Sequence, residues 1–315
     1  MVDIRIVFMG TPEFAVASLQ ALVENNWPVV AVVTAPDRRQ GRGQVLTPSP
    51  VKAYAVAHKI PVLQPPNLKA PAFLSQLAAF KANLQVVVAF RMLPEAVWRL
   101  PELGTFNLHA SLLPDYRGAA PINWAIINGE KKTGVTTFFL QHEIDTGEII
   151  LQEKEPIRED DTVGALYHRL MAKGSKLVLK TVEQIAADKV TTTPQKPVTH
   201  PKTAPKLYKE TCEIDWNKPF SQVFNLVRGL NPYPAAWTTL AKQHCKIFWL
   251  KKAALTRAAA PGTMVTDHRQ QLWVKCADTW AEITELQLAG KRKMTAAELL
   301  RGNPLAHLPG IEDNI

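Results

Sequence analysis

The chain has 315 residues, 46% of them hydrophobic, and a formal net charge of +9, a size that suits two compact domains. No apolar run reaches 18 residues, the start lacks a signal-peptide pattern, and the three cysteines include no Cys-x-x-Cys pair. These features exclude a transmembrane helix, argue against a disulfide scaffold or cysteine zinc site, and predict a soluble cytoplasmic protein without a membrane partner.

Short apolar strands alternate with helical patterns over the first 190 residues. Ile4–Met9 is typical of a buried strand, the turn at Gly10 leads into a helix, and Val29–Val33 and Leu84–Phe90 are further strands. The later elements are helices near 51–58, 71–80 and 119–128, a β-rich run over 133–140 and a long helix over 162–187. This order predicts an α/β fold with a doubly wound, mostly parallel sheet.

The composition changes near residue 190. Four prolines between residues 191 and 205, without a helical period, indicate an extended linker. Strand candidates then cover 236–240, 245–250, 272–276 and 279–286, with helical stretches near 219–228 and 295–302. We predict a first domain over 1–189, a linker over 190–208, and a small barrel or α+β module over 209–315.

The positive charge is concentrated in the C-terminal part. Residues 191–315 hold 17 Lys and Arg against 10 Asp and Glu, a charge of +7, and the rest of the chain carries +2. This asymmetry favours a polyanionic partner, although a basic surface can also serve solubility. The lysines of Lys246–Lys252 and Lys291–Lys293 are candidates for phosphate contacts, and the aromatic residues among them are typical of a half-buried strand.

A polar loop, Pro36–Gln44, follows the second strand and contains three arginines and two glycines. About 15 residues here lack a regular pattern, which is long for a compact domain, and such loops often carry function. Arginine pairs well with phosphate. We therefore interpret the loop as functional, with a solvated surface loop as the alternative.

The strongest candidates for catalytic side chains lie on a strand near residue 107. Asn107 and His109 are two apart, so on a strand their side chains project from one face. An amide N–H and a ring N–H could then converge on one developing oxyanion. The carboxylate of Asp145 could hold the imidazole tautomer and favour its charged form. The alternative is a strand-end Asn and His satisfied by neighbouring backbone.

Further motifs are spread over nearly the whole chain. They are Phe8–Ala15, Pro36–Arg38 with Gly41–Gly43, Pro48–Lys52, Asn107–Pro114, Arg117–Ile122, Asp145–Gly147, Ala204–Leu207, Ile214–Trp216 and Pro232–Trp237. Together they resemble the methionyl-tRNA formyltransferase family. The Asn-x-His, Ser-Leu-Leu-Pro and Asp-Thr-Gly set resembles folate-dependent formyltransferases generally, and the arginine loop and C-terminal motifs narrow the resemblance to the tRNA enzyme. The chain departs from the family at Phe90-Arg91, where Tyr-Gly is usual, and at Gln44-Val45, where lysines are common.

The resemblance implies a formyl-transfer domain, then a small OB-like β-barrel domain that binds tRNA. It also implies 10-formyltetrahydrofolate as donor and the amino group of initiator methionyl-tRNA as acceptor. We further expect a monomer that needs no metal, because the formyl group is already activated on its carrier. Asn107, His109 and Asp145 would be the catalytic residues. The folate-binding residues implied are Phe90, Arg91, Met92, Leu93, Ser111, Leu112, Leu113 and Pro114, and the acceptor-binding residues are Gly10, Phe14, Arg38 and Arg42.

Two alternatives stay open. A formyltransferase acting on a small amine, such as a purine ribonucleotide or a nucleotide sugar, keeps the three catalytic residues but gives no reason for the arginine loop and basic module. A non-catalytic RNA-binding protein on this scaffold predicts that the trio is broken, whereas Asn107, His109 and Asp145 are all present.

Overall fold

A computed structural model describes residues 2–40, 43–199, 201–240, 242–302 and 311–313. The chain forms two compact units. The first unit comprises residues 1–118, 133–156 and 167–203, and the second comprises 119–132, 157–166 and 204–315. The domain limits 1–189, 190–208 and 209–315 stay a prediction.

The strands and helices follow one another in an α/β order and then a mostly β order. The strands are β1 (Ile6–Gly10), β2 (Val29–Val33), β3 (Arg38–Gln40), β4 (Val45–Thr47), β5 (Val62–Leu63), β6 (Leu84–Val88), β7 (Thr105–His109), β8 (Arg117–Gly118), β9 (Lys132–Phe139), β10 (Ile149–Pro156), β11 (Thr203–Ala204), β12 (Ala236–Leu240), β13 (Gln243–Ala253), β14 (Met264–Thr266), β15 (Leu272–Lys275), β16 (Trp280–Leu288), β17 (Met294–Thr295) and β18 (Ile311–Asp313). The helices are α1 (Glu13–Glu24), α2 (Pro50–Ala57), α3 (Pro71–Ala79), α4 (Glu95–Trp98), α5 (Pro121–Ile127), α6 (Val163–Ala186), α7 (Phe220–Leu230) and α8 (Ala296–Gly302), with a 3-10 turn at Glu210–Cys212.

The first unit is organised by a sheet in the order β10-β9-β7-β6-β1-β2-β5. The five strands from β7 to β5 are parallel, and β9 runs antiparallel to β7. β1 and β6 are buried at every position. Their sequences are nearly continuous apolar runs because a strand buried on both faces has no solvent side. The predicted α/β class with a mostly parallel sheet is confirmed.

Helix α6 packs against the strand that carries the candidate site. Its core positions include Leu166, Leu170 and Leu177, as the apolar spacing predicts. Gly174 lies so close to the sheet that an added Cβ would be 2.8 Å from a methyl carbon of Leu108 on β7. A larger residue there would separate the helix from β7.

The polar loop Pro36–Gln44 was expected to lack regular structure, and this expectation is wrong. β3 and β4 form an antiparallel hairpin, with Arg39 opposite Leu46. The base of the hairpin is held by Asp37, which accepts hydrogen bonds from Lys52 Nζ at 2.6 Å and Gln64 Nε2 at 2.7 Å. These partners are distant in sequence, and a short polar strand has no apolar alternation by which to recognise it.

The second unit is built on a mostly antiparallel sheet. Its order is β12-β13-β16-β15-β14-β18, with β17 beside β16 and β18 parallel to β14. Register shifts between Ile247 and Leu250 interrupt the long β13–β16 ladder, and such bulges increase the twist and bend of a strand. Val223, Val227 and Leu230 of α7 belong to the core of this unit. The predicted C-terminal β module with two helices is thus confirmed.

No helix within the described ranges combines the length and apolar character that a membrane crossing requires.

Candidate active site

Strand β7 positions Asn107 and His109. Asn107 lies opposite Val87 of β6 and Phe138 of β9. His109 is two residues further along, opposite Thr136 of β9, with the same orientation. Asn107 is half-buried, and its side chain makes no hydrogen bond with any described residue. Its amide N–H groups are therefore available to an acceptor from outside the protein.

The ring of His109 is buried, and its two nitrogens face different oxygens. Nε2 lies 2.8 Å from the carbonyl oxygen of Tyr116. A carbonyl only accepts, so Nε2 carries a hydrogen in this arrangement. Nδ1 lies 3.8 Å from Asp145 Oδ2, which is an ion-pair distance but too long for a hydrogen bond. Nδ1 is thus the ring nitrogen that faces the carboxylate.

Asp145 lies in a tightly constrained turn. Its backbone φ is +55°, in the left-handed region that non-glycine residues seldom adopt. Its Oδ2 accepts a hydrogen bond from the Gly118 N–H at 3.0 Å. At Gly147 an added Cβ would lie 1.6 Å from the Phe139 carbonyl oxygen, so only glycine fits. The Asp-Thr-Gly motif therefore forms a turn that is pressed against β9 and presents one carboxylate to His109.

The segment 111–114 is held mainly by internal hydrogen bonds. The buried Ser111 hydroxyl donates to the Asp115 carbonyl at 2.6 Å, and Gln152 Nε2 donates to the Leu113 carbonyl at 2.8 Å. The Leu113–Pro114 peptide is cis. Leu112 and Pro114 are half-buried. A folate-binding role for Ser111, Leu112, Leu113 and Pro114 stays a prediction, and it would rest on shape more than on side-chain hydrogen bonds.

The four residues 90–93 lie in different environments. Leu93 is buried in the core, Phe90 packs against the same core, and the Met92 side chain is 72% exposed. The guanidinium of Arg91 donates to the carbonyls of Pro65 and Pro66. Burial lowers the pKa of Arg91, and the nearby Arg38 lowers it further. Folate binding by Phe90, Arg91, Met92 and Leu93 stays a prediction.

The predicted acceptor-binding residues differ in how closely they are packed and how exposed they are. Gly10 is closely packed, since an added Cβ would lie 2.6 Å from the Ala15 Cβ. Phe14 is buried with its ring 5.3 Å from that of Tyr167, in an edge-to-face contact. Arg38 is exposed on β3. Arg42 lies outside the described residues, and all four acceptor roles stay predictions.

Three residues that contact the trio were not identified from the sequence. Tyr116 and Gly118 bond to His109 and Asp145 through their backbone, which leaves no side-chain signal beyond their place in or beside the Arg117–Ile122 motif. Gln195 donates to backbone carbonyls of the Asp145 turn from within the proline-rich segment. A single glutamine in a predicted linker carries no periodic pattern that could reveal it.

An open cleft of about 630 Å³ lies between the end of α4 and the loop that leads to Asp145. Its lining residues are Trp98, Arg99, Gln141, His142, Glu143 and Thr146. His142 is 3.4 Å from a carboxylate oxygen of Glu95, with its ring edge-on to Trp98. Throughout the part of the chain that the structure describes, no group of three His, Cys, Asp or Glu could hold a metal ion.

The fold and the family matches identify the chain as a formyltransferase. A family model described as formyl transferase matches residues 4–182, and another described as formyl transferase, C-terminal domain, matches residues 206–304. The methionyl-tRNA formyltransferase of Bacteroides fragilis is 52% identical over 308 residues, covering 95% of each chain. That of Flavobacterium johnsoniae is 49% identical over 306 residues, covering 96% of this chain and 97% of the relative. The chain belongs to the methionyl-tRNA formyltransferase family.

Solved structures share the fold at lower identity. WlaRD, a sugar 3N-formyl transferase, has a TM-score of 0.67 at 20% identity, covering 93% of this chain and all of its own. HypX from Aquifex aeolicus in complex with tetrahydrofolic acid also has a TM-score of 0.67 at 20% identity. It covers 99% of this chain, which spans about half of the HypX chain. At this identity the two structures show that the fold is shared.

Proposed function

We propose that this chain transfers the formyl group of 10-formyltetrahydrofolate to the free amino group of initiator methionyl-tRNA in the cytoplasm, acting as a monomer. The product is N-formylmethionyl-tRNA for translation initiation. The arrangement of Asn107, His109 and Asp145 carries the chemistry of the proposal. The name shared by relatives about 50% identical over the whole chain supports the acceptor, and structures solved with tetrahydrofolic acid or 5-N-formyl-THF support a folate donor.

Attack by the neutral amine on the formyl carbon places negative charge on the formyl oxygen. The side chain of Asn107 has unengaged N–H groups and donates to that oxygen. Removing one such donor typically lowers the rate by about 10²–10³. The C–N bond to the folate then breaks, and the proton lost by the amine is transferred to folate N10. Neither step requires a metal, because the formyl group is already activated on its carrier.

His109 and Asp145 are the groups that transfer protons during the reaction. The Tyr116 carbonyl keeps the hydrogen of His109 on Nε2, so the charged ring presents Nδ1–H on the Asp145 side. From there His109 stabilises the oxyanion, or donates to it a proton that returns to His109 when the carbonyl re-forms. The Asp145 carboxylate orients the imidazolium and accepts the amine proton, directly or through a water molecule, before that proton passes to folate N10.

We also propose which residues bind the folate and the tRNA. We propose that residues 90–93 and 111–114 bound the folate site, near the cleft beside the Asp145 loop. Arg38 of the β3–β4 hairpin and Arg42 contact phosphates of the acceptor arm, and Gly10 and Phe14 shape the site for the methionyl group. The lysines of the second unit add phosphate affinity that depends little on base sequence. Arg42→Ala should raise KM for tRNA more than it lowers kcat.

The decisive test is transfer of a labelled formyl group from 10-formyltetrahydrofolate to charged initiator methionyl-tRNA. Elongator methionyl-tRNA and the His109→Ala variant serve as controls. Transfer to the initiator alone, lost in the variant, supports both the chemistry and the acceptor. A folded, folate-binding protein that formylates no tRNA would instead favour a small amine as acceptor.

A further inference from the structure

The proline-rich segment after α6 is bound to the turn that carries Asp145. Gln195 is half-buried, and its Nε2 donates to two backbone carbonyls, those of Asp145 and Gly147, each at 2.8 Å. A single amide group thus holds both ends of the Asp-Thr-Gly turn.

The other end of the same amide holds a second segment of the site. Gln195 Oε1 accepts from Arg117 Nη2 at 2.6 Å and from Arg117 Nε at 3.2 Å. The next residue, Gly118, donates its N–H to Asp145 Oδ2. The contacts therefore form a closed ring, from the Gln195 amide through Arg117 and Gly118 to the Asp145 carboxylate, and through the Asp145 carbonyl back to Gln195.

Two backbone contacts keep the segment in place on either side of Gln195. Thr193 and Ile149 exchange a pair of backbone hydrogen bonds of 2.8 and 2.9 Å. Further along, the Lys202 carbonyl accepts from the Tyr116 N–H at 2.6 Å. The Tyr116 carbonyl is the group that bonds His109 Nε2, so Gln195 and Lys202 support the partners of both ionisable groups.

We propose that Gln195 is a positioning residue that sets the distance between Asp145 and His109 during formyl transfer, an inference that rests on the proposed function. Only a side-chain amide fulfils both roles, since it donates two hydrogen bonds and accepts from a guanidinium. The left-handed backbone of Asp145 is strained, and such conformations persist only where surrounding contacts determine them.

Small movements matter here because Asp145 Oδ2 is already 3.8 Å from His109 Nδ1. A displacement of about 1 Å in a catalytic group can cost about 10²-fold in rate. Loss of the Gln195 amide leaves the folate and tRNA surfaces intact but releases the Asp145 turn. The effect should therefore fall on kcat rather than on KM.

The experiment compares Gln195→Ala, Gln195→Glu and the control Lys196→Ala, which changes the adjacent exposed side chain. The carboxylate of Gln195→Glu still accepts from Arg117 but has no hydrogen to donate to Asp145 or Gly147. We expect both Gln195 variants to lower kcat by about 10–100-fold with KM for either substrate within about threefold. Lys196→Ala should keep parental kinetics.

A second readout does not depend on activity. The ring NMR signals of His109, assigned by their loss in His109→Ala, should shift in both Gln195 variants and stay unchanged in Lys196→Ala. A parent enzyme that formylates no tRNA contradicts the proposed function, while the ring signals still test the positioning role. Parental kcat and unshifted ring signals in Gln195→Glu would overturn the inference, as would a loss caused only by unfolding, measured by circular dichroism.

Discussion

Asn107 and His109 share an orientation because side chains two apart on a strand project from one face of a sheet. What distinguishes them is their hydrogen bonding. The His109 ring is fixed by the Tyr116 carbonyl, whereas the Asn107 amide has no partner among the described residues. We propose that the unengaged Asn107 amide stabilises the oxyanion, since this donor need not break an existing bond.

At the residue scale, Asn107→Ala should lower kcat for formyl transfer by about 10²–10³, because one donor to the developing oxyanion is lost. KM should change little, since this donor acts mainly on the transition state. Steady-state kinetics with both substrates measure the split. The exposed Asn67 provides the control, and Asn67→Ala should match the parent. Parental turnover in Asn107→Ala would exclude the proposed role.

A second prediction at this scale concerns Gly147→Ala. The new Cβ would overlap the Phe139 carbonyl oxygen at 1.6 Å, so the turn must move. We expect a loss of about 1–3 kcal/mol in the free energy of unfolding, as for overpacking elsewhere, measured in urea. Gly43→Ala is the matched control, because its Cβ would meet only a Val45 methyl carbon at 3.5 Å. Equal stability of the two variants would contradict the prediction.

At the scale of elements, the helices and strands with strong periodicity were predicted well. Helix α6 and strands β2 and β6 agree closely with their apolar patterns, since packing and local propensity favour the same structure. The β3–β4 hairpin was missed because its stability depends on Asp37, Lys52 and Gln64, which lie far apart in sequence.

Helix α8 begins with a capping box whose stability depends on pH. The Thr295 N–H donates to Glu298 Oε2 at 2.8 Å, and the Glu298 N–H donates to Thr295 Oγ1 at 3.2 Å. The bond from the Thr295 backbone first, and then the bond from Arg292, lower the pKa of Glu298 to about 2 from 4.5. Because the folded pKa is depressed, the stabilisation is complete above pH 4.5 and is lost as the pH falls toward 2.

Glu298→Gln should therefore unfold at a lower temperature than the parent at pH 7. The difference between the two proteins should shrink as the pH falls from 4.5 toward 2, because the parent carboxylate becomes protonated there. Thermal unfolding followed by circular dichroism over this pH range tests whether the difference in unfolding temperature shrinks. A difference that stays constant with pH would show that the charge of Glu298 is not what caps α8.

At the scale of the whole molecule, the main feature is the concentration of positive charge in the C-terminal part of the chain. The basic C-terminal part was visible in the sequence, and exposed lysines there include Lys251, Lys252 and Lys291. Others are engaged within the protein, such as Lys293, whose Nζ lies 2.5 Å from a carboxylate oxygen of Glu285. Which lysines are available to phosphate is therefore a property of the folded sheet.

Replacing Lys251, Lys252 and Lys291 together by Gln should weaken tRNA binding and flatten its salt dependence. Each lost phosphate contact lowers the slope of log K against log salt by about 0.7–0.9, so the total change should be about 2–3. Filter binding at several salt concentrations measures it. The control replaces three exposed lysines of the first unit, Lys59, Lys69 and Lys180, and should keep the parental slope. Equal slopes for parent and triple variant would refute phosphate contact by these lysines.

The sequence by itself determined the α/β class, the periodic helices and strands, the charge asymmetry and the family resemblance. Each of these depends on local pattern or composition, which the chain carries residue by residue. Only the tertiary structure brought Asp145 to 3.8 Å from His109 and turned Nε2 of the ring toward Tyr116. It likewise placed Gln195 against the Asp145 turn, a contact across 50 residues that no periodic signal encodes. These contacts depend on backbone carbonyls and on the left-handed backbone of Asp145, neither of which has a side-chain signature in a sequence.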